Sequence, residues 1–207
     1  MRPSIPSIAM SALKICANVA AVLGFGALVF ASYRNFALTG SLNSLGLVAV
    51  NALFVCLYVF RRDARVIVVA PHLWVLAFAG TMLPLLMRAT AEPGLELTGS
   101  VVQGSGLCLI AAALLSLQRS FGIVPANRGI REGGLYAIVR HPLYAAELLF
   151  ILGFVMVNPS PWNVGLWVIE CALQVLRARA EEQLLGEDPV YSAYSQRVRY
   201  RLIPGLI

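Results

Sequence analysis

Four apolar stretches, at about 13–32, 42–60, 66–87 and 100–118, dominate the first half of this chain. Each approaches the ~20 residues that a helix needs to cross a bilayer. Hydrocarbon offers backbone N–H and C=O groups no water to bond, so such segments fold as helices and associate as bundles. Of the 207 residues, 59% are hydrophobic and 13% charged, which is too apolar for a soluble domain of this length. Two shorter runs follow, 143–157 and 162–178, separated by Asn158-Pro159-Ser160-Pro161, whose prolines interrupt any continuous helix. The expected fold is therefore all-α: a polytopic transmembrane helix bundle of four long spanning helices, with a C-terminal helical hairpin and a cytosolic cap. With no internal repeat or low-complexity linker, residues 1–207 read as one integral-membrane domain, made of a four-helix part (1–118) and a C-terminal part (119–207).

The net charge is +6, but the basic residues are scattered at the ends of apolar runs rather than gathered on one polar face. Membrane topology accounts for them, and no nucleic-acid partner is expected. The connections alternate: 61–65 is basic, 88–100 carries two glutamates against one arginine, and 119–141 holds Arg119, Arg128, Arg131 and Arg140. By the positive-inside rule the protein is multi-pass, with the N-terminus, the 119–141 loop and the C-terminal tail on the cytosolic side. The first run follows Lys14 without a small-residue cleavage site and reads as a retained helix. Cys16, Cys56, Cys108 and Cys171 each lie in an apolar run without CxxC or Cys/His spacing, so they read as reduced apolar residues and no metal site is expected. A Walker motif, a strand-linked GxGxxG and a nucleophile elbow are all missing from the sequence, which argues against phosphate or hydride chemistry on a soluble-type fold.

Ionisable side chains inside apolar helices are costly and point to function. In the last run Glu170, Gln174, Arg177 and Glu181 step by 4, 3 and 4 residues and fall in a stripe roughly 60° wide at helical pitch, with Arg179 opposite and Glu182 to one side. Charges near a helix end are often only solvated and paired four apart, but Glu170 and Gln174 lie too deep for that and must face a bundle interior or wet cavity. On the facing run, Tyr144 and Glu147 share a face just after Arg140-His141-Pro142. Proline suits a first helical turn, and an uncapped helix start offers free N–H groups and a positive dipole end. Arg140 reads as an interfacial anchor. Gly104 and Gly106 form a lone GxG that reads as close packing, and His72 is a weaker candidate for the same cavity.

The segments GGLYAIVRHPLYAAELL, NPSPW, RARAEEQLL and YSAYSQRVRYRLIP resemble the C-terminal half of the isoprenylcysteine carboxyl methyltransferase and phospholipid methyltransferase superfamily of integral-membrane enzymes. The resemblance covers roughly 119–204, and the first hundred residues match only in hydropathy. It implies S-adenosylmethionine as cofactor and a lipophilic, membrane-borne acceptor, either isoprenylcysteine carboxylate-like or a phospholipid or isoprenoid. Carried over by position, the cofactor would be held by Tyr136, by His141, Pro142 and Tyr144 of RHPxY, and by Glu181 and Glu182. Ile130 falls where the carboxyl methyltransferases set a His-x-Leu-Val segment against the cofactor, although this chain has Arg128-Gly129-Ile130-Arg131 there. An arginine one turn before the glutamate pair binds the substrate carboxylate in those enzymes, a place that Arg177 and Arg179 both match, and the stripe favours Arg177. For an amine acceptor, Glu147 or Glu170 is the candidate to take the proton. Two other readings stand beside this one: an NADPH-dependent membrane reductase of the sterol or isoprenoid type, with Arg128 and Arg131 on phosphates, and a non-catalytic carrier or assembly protein.

Overall fold

The computed structural model describes residues 7–60, 62, 66–67, 70–91, 94–123 and 126–206. The first six residues, and the basic connection 61–65 apart from Arg62, lie outside the described residues. The chain groups into two compact units, Met1–Phe60 and Arg61–Ile207.

The first unit is a hairpin of α1 (Ser7–Thr39) and α2 (Leu42–Phe60). Gly40 joins them at φ +67°, a left-handed conformation that glycine adopts without steric cost. The Thr39 hydroxyl accepts from the Ser41 amide at 3.2 Å, and Asn35 Nδ2 donates to Ser44 Oγ at 2.6 Å across the turn. Phe25 of α1 stacks on Phe54 of α2 with ring centroids 4.6 Å apart.

The second unit begins with β1 (Val66–Ile67), which pairs antiparallel with β2 (Ala126–Asn127). Its helices are α3 (Pro71–Met82), α4 (Glu96–Leu117), α5 (Pro142–Val157), α6 (Pro161–Leu185) and α7 (Pro189–Arg197). Three described segments are long and apolar enough to cross a membrane: Asn18–Thr39, Leu42–Phe60 and Glu96–Ser120. The third apolar run, 66–87, departs from the expected spanning helix. Its start is drawn into the β1 pairing, Pro71 opens α3 at its first turn, and after Met82 the chain tightens into a 3-10 turn, Leu83–Leu86, that holds Pro84. Proline cannot supply the amide that would continue the helix, so the α-helical part stops at 12 residues, about 18 Å of rise.

Helices α4 and α5 run antiparallel in very close contact, and small residues make this possible. A β-carbon on Gly106 would sit 2.6 Å from the Phe150 Cα, and one on Gly153 would sit 2.6 Å from the Gly99 carbonyl oxygen. The GxG of the fourth run is thus a packing device at Gly106. The turn after α5 is held by two asparagines. Asn163, fully buried, donates from Nδ2 to the Arg88 and Asn158 carbonyls, both at 2.8 Å, while its Oδ1 accepts from the Arg88 amide. Ser160 caps α6 by accepting from the Asn163 amide at 3.1 Å. The expected break at 158–161 is present, and it sets α6 back along α5.

Candidate functional site

His141 is the residue immediately before α5, and Pro142 occupies the first helical position. No side chain caps this helix start. The returning C-terminal tail fixes the entrance instead: the Arg140 amide donates to the Tyr200 carbonyl at 2.9 Å and the His141 amide to the Arg201 carbonyl at 2.8 Å. The 3.6-residue pitch then turns Tyr144 and Glu147 toward α6, whose stripe faces them.

The two motifs, some forty residues apart in sequence, meet directly. Tyr144 donates its hydroxyl to Glu181 Oε1 at 2.6 Å. His141 Nδ1 lies 3.5 Å from Glu181 Oε2, and its Nε2 lies 3.2 Å from Glu182 Oε1. The His141 and Tyr144 rings are parallel within 2°. Arg201 Nε donates to Glu182 Oε2 at 2.8 Å, and Arg140 Nε lies 3.3 Å from Glu182 Oε1. Arg140, read from sequence as an anchor, therefore ion-pairs at the entrance and also donates to the Arg199 carbonyl.

Deeper along α6 the stripe is buried. Glu170 and Gln174 are 0% exposed and Arg177 is 6% exposed, while Arg179 on the opposite side is exposed. The Arg177 guanidinium lies over the Tyr144 ring at 4.7 Å, and its Nη1 donates to Gln174 Oε1 at 3.1 Å. Gln174 Nε2 donates both to Glu147 Oε2 at 2.9 Å and to Glu170 Oε1 at 2.7 Å. One polar line runs from Arg201 through Glu182, His141, Glu181 and Tyr144 to Arg177 and the Glu147–Gln174–Glu170 group. Gly80 of α3 leaves room for it, since a β-carbon there would lie 2.9 Å from Arg177 Cδ.

The remaining candidates are spread more widely. Tyr136 is buried in the 3-10 turn Gly134–Ala137, and its carbonyl accepts from the Tyr194 hydroxyl at 2.8 Å. Ile130 packs against the Tyr191, Tyr194 and Val198 cluster and lines a cavity of about 540 Å³ with Ser116, Arg131, Glu132 and Gly133. Arg128 is buried against Gly122, and Arg131 Nε donates to Ser120 Oγ at 3.3 Å. His72 is exposed in the first turn of α3, away from the buried line. Arg201 was not singled out from sequence. Its nearest signal is the pair Arg199 and Arg201 in the non-helical stretch that follows α7.

The entrance network responds to pH in both directions. Burial opposes charge on His141, but hydrogen bonds to Glu181 and Glu182 outweigh it and hold the imidazole above its ordinary pKa. Burial likewise pushes Glu182 up, yet bonds from His141 and Arg201 and the nearby charges bring it below the ordinary carboxyl value. A raised histidine contributes stability below its unfolded pKa of ~6.5 and loses it as pH rises through the folded value. A depressed glutamate contributes above its unfolded pKa of ~4.3 and loses it as pH falls through the folded value. The thermal midpoint of the detergent-solubilised protein is therefore expected to be highest between those limits. His141→Gln should flatten the alkaline limb, and an alkaline limb that persists in that variant counts against the assignment.

In comparisons with known proteins, the chain matches no protein-family model and no curated protein.

Proposed function

We propose that this chain is an integral-membrane enzyme that transfers a methyl group from S-adenosylmethionine to a lipophilic acceptor carried in the bilayer, at the cytosolic face. The observation that carries the reading is the meeting of RHPxY with the glutamate pair, through Tyr144–Glu181 and His141–Glu182 contacts. These are the segments on which the resemblance to the methyltransferase superfamily rests.

The donor set suits the cofactor. Carboxylates at Glu181 and Glu182 complement an ammonium and a sulfonium, and the Tyr144 face already holds a cation, the Arg177 guanidinium. The cavity beside Ile130, at about 540 Å³, has the size of a small-molecule site and lies next to the turn that carries Tyr136. When bound, S-adenosylmethionine supplies a methyl group activated by its positively charged sulfur. The chain's own residues do the rest. His141, Tyr136, Tyr144 and the two glutamates bind and orient. Arg177 sets the charge around the acceptor, and Glu147 or Glu170 is within the same buried group to hold a proton. At the deep end Glu170 and Gln174 are wholly buried.

Purified protein in uncharged detergent is expected to bind S-adenosylmethionine, with Glu181→Gln and His141→Ala weakening that binding by about 10- to 100-fold, the loss typical of a charged hydrogen bond. Tyr144→Phe, which removes only one hydroxyl, gives a smaller loss in a scaffold of unchanged shape. Ordinary binding by both charge variants rejects the site. Binding of NADPH in place of S-adenosylmethionine transfers the chain to the reductase reading.

A further inference from the structure

The basic connections take no part in the polar line. Residues 61–65 and 119–132 hold Arg61, Arg62, Arg65, Arg119, Arg128 and Arg131 against Asp63 and Glu132. Every cation among them is an arginine, whose flat guanidinium fork meets phosphate in a bidentate way that lysine cannot. The fold draws the described members together, although they come from stretches distant in sequence. The β1–β2 pairing lays the two connections side by side, and the Arg62 amide donates to the Arg119 carbonyl at 2.8 Å. Gly129, at φ +96°, leaves space beside it, and Arg62 Nη1 stands 3.8 Å from where a β-carbon on that glycine would lie. Ser120 links the others: its hydroxyl donates to the Arg128 carbonyl and accepts from Arg131 Nε, both at 3.3 Å.

Like charges drawn together repel, and the repulsion is screened least where a guanidinium is buried, as Arg128 is at 8% exposure. A positive-inside bias asks only for cations near the end of a span and does not require that they converge. Glu132, the acid of the same loop, pairs instead with Arg197. Asp188 accepts from Asn127 Nδ2 at 2.9 Å and from the Val190 amide at 3.0 Å. Among the described residues, Arg62 and Arg131 have no acid within ion-pair distance. An anion fits such a cluster, and depth selects its kind. The arginines begin where the apolar segment Glu96–Ser120 ends, so with α4 in a bilayer they stand at the level of lipid headgroups. Leu115, one turn before Arg119, is 62% exposed and gives acyl chains an apolar side to lie against.

We propose that Arg62, Arg128 and Arg131 form a seat for the phosphate of an anionic membrane lipid at the Ser120 end of α4, with the lipid's chains lying along that helix. Arg62 and Arg131 supply donors to the headgroup, and the buried Arg128 adds a charge that solvent screens little. The seat uses none of the residues of the His141–Glu182 entrance and does not depend on methyl transfer. It ties the 119–131 loop, and with it the turn that carries Tyr136, to the membrane surface.

The test titrates the full chain in uncharged detergent micelles with radiolabelled phosphatidylglycerol and with phosphatidylcholine of the same chains, at fixed ionic strength. Phosphatidylglycerol is expected to bind saturably and phosphatidylcholine at least about 10-fold more weakly. Arg62→Gln, at an exposed position that folding does not rely on, should weaken phosphatidylglycerol about 5-fold, and the double variant Arg62→Gln, Arg131→Gln about 10- to 100-fold. Arg34→Gln removes one exposed cation late in α1 and should leave binding at the parent level, which separates a built seat from net charge. Micromolar pyrophosphate or NADPH, which carry phosphate without acyl chains, should not displace the lipid. Equal binding of the two lipids, binding that does not saturate, parent-level binding in Arg62→Gln, or a loss in Arg34→Gln as large as in Arg62→Gln overturns the proposal. Displacement by pyrophosphate or NADPH also overturns it, because the arginines would then serve a soluble phosphate ligand.

Discussion

Gly153→Leu is expected to leave almost no folded protein in detergent extracts, whereas Gly165→Leu, one helix further on, leaves the yield and unfolding midpoint near those of the parent. The two glycines differ only in what surrounds them. A β-carbon on Gly153 meets the Gln103 amide and lies 2.6 Å from the Gly99 carbonyl oxygen, both backbone atoms of α4. A β-carbon on Gly165 meets nothing within 4 Å. Adding a side chain to a packed core typically costs about 1–3 kcal/mol when neighbouring side chains yield. Here the neighbour is a helix backbone, which cannot yield without breaking its own hydrogen bonds. A helix propensity gain of up to about 1 kcal/mol on leaving glycine does not offset that, but at Gly165 it acts unopposed. Size-exclusion profiles and thermal midpoints of the two variants check the claim. A monodisperse Gly153→Leu protein with a midpoint near the parent's would show that α4 and α5 are not held at this distance.

That contact also shows where sequence reading stops. Gly106 was recognisable as a packing glycine because it sits in an apolar run, but nothing in the sequence said that Phe150 would cover it. Hydropathy marks a run by its residues and is blind to its ends, so 66–87 looked like a full span although Pro71 and Pro84 cut it and β2 draws off its first residues. The buried stripe was readable, because helical pitch alone puts Glu170, Gln174, Arg177 and Glu181 on one face and Arg179 on the other. The partners that complete the entrance were not. Glu182 is met by Arg140 and Arg201, which come from either side of the hairpin, and Asn163 holds a turn 75 residues away. Local periodicity reports which way a side chain faces along its own element, while these pairings depend on how separate elements are laid together.

Arg177→Met should be the most damaging single change on α6, and its rescue is the sharper result. Methionine keeps much of the length of the arginine stem but removes the charge that Glu147 and Glu170 share, along with the cation over Tyr144. Taking one partner from a buried charge group leaves the others uncompensated and typically costs about 3–5 kcal/mol. The loss of a desolvated cation–π contact adds about 2 kcal/mol at most. Replacing every charged member together has a different sign, because the desolvation penalty vanishes with the charges. The triple variant Glu147→Gln, Glu170→Gln, Arg177→Met should therefore regain most of the stability that Arg177→Met loses. Arg179→Met, at an exposed position that shares the RxR segment, should stay within about 0.5 kcal/mol of the parent. Thermal midpoints of the four proteins in one detergent separate the cases. If Arg177→Met and Arg179→Met behave alike, Arg177 does not hold the buried carboxylates. If the triple variant is no more stable than Arg177→Met, the cost lies in lost packing rather than in charge. The outcome expected from the geometry is a stable protein without the three charges and an unstable one with two unmatched carboxylates, because a buried charge group is costly to break and adds little net stability over apolar or neutral replacements.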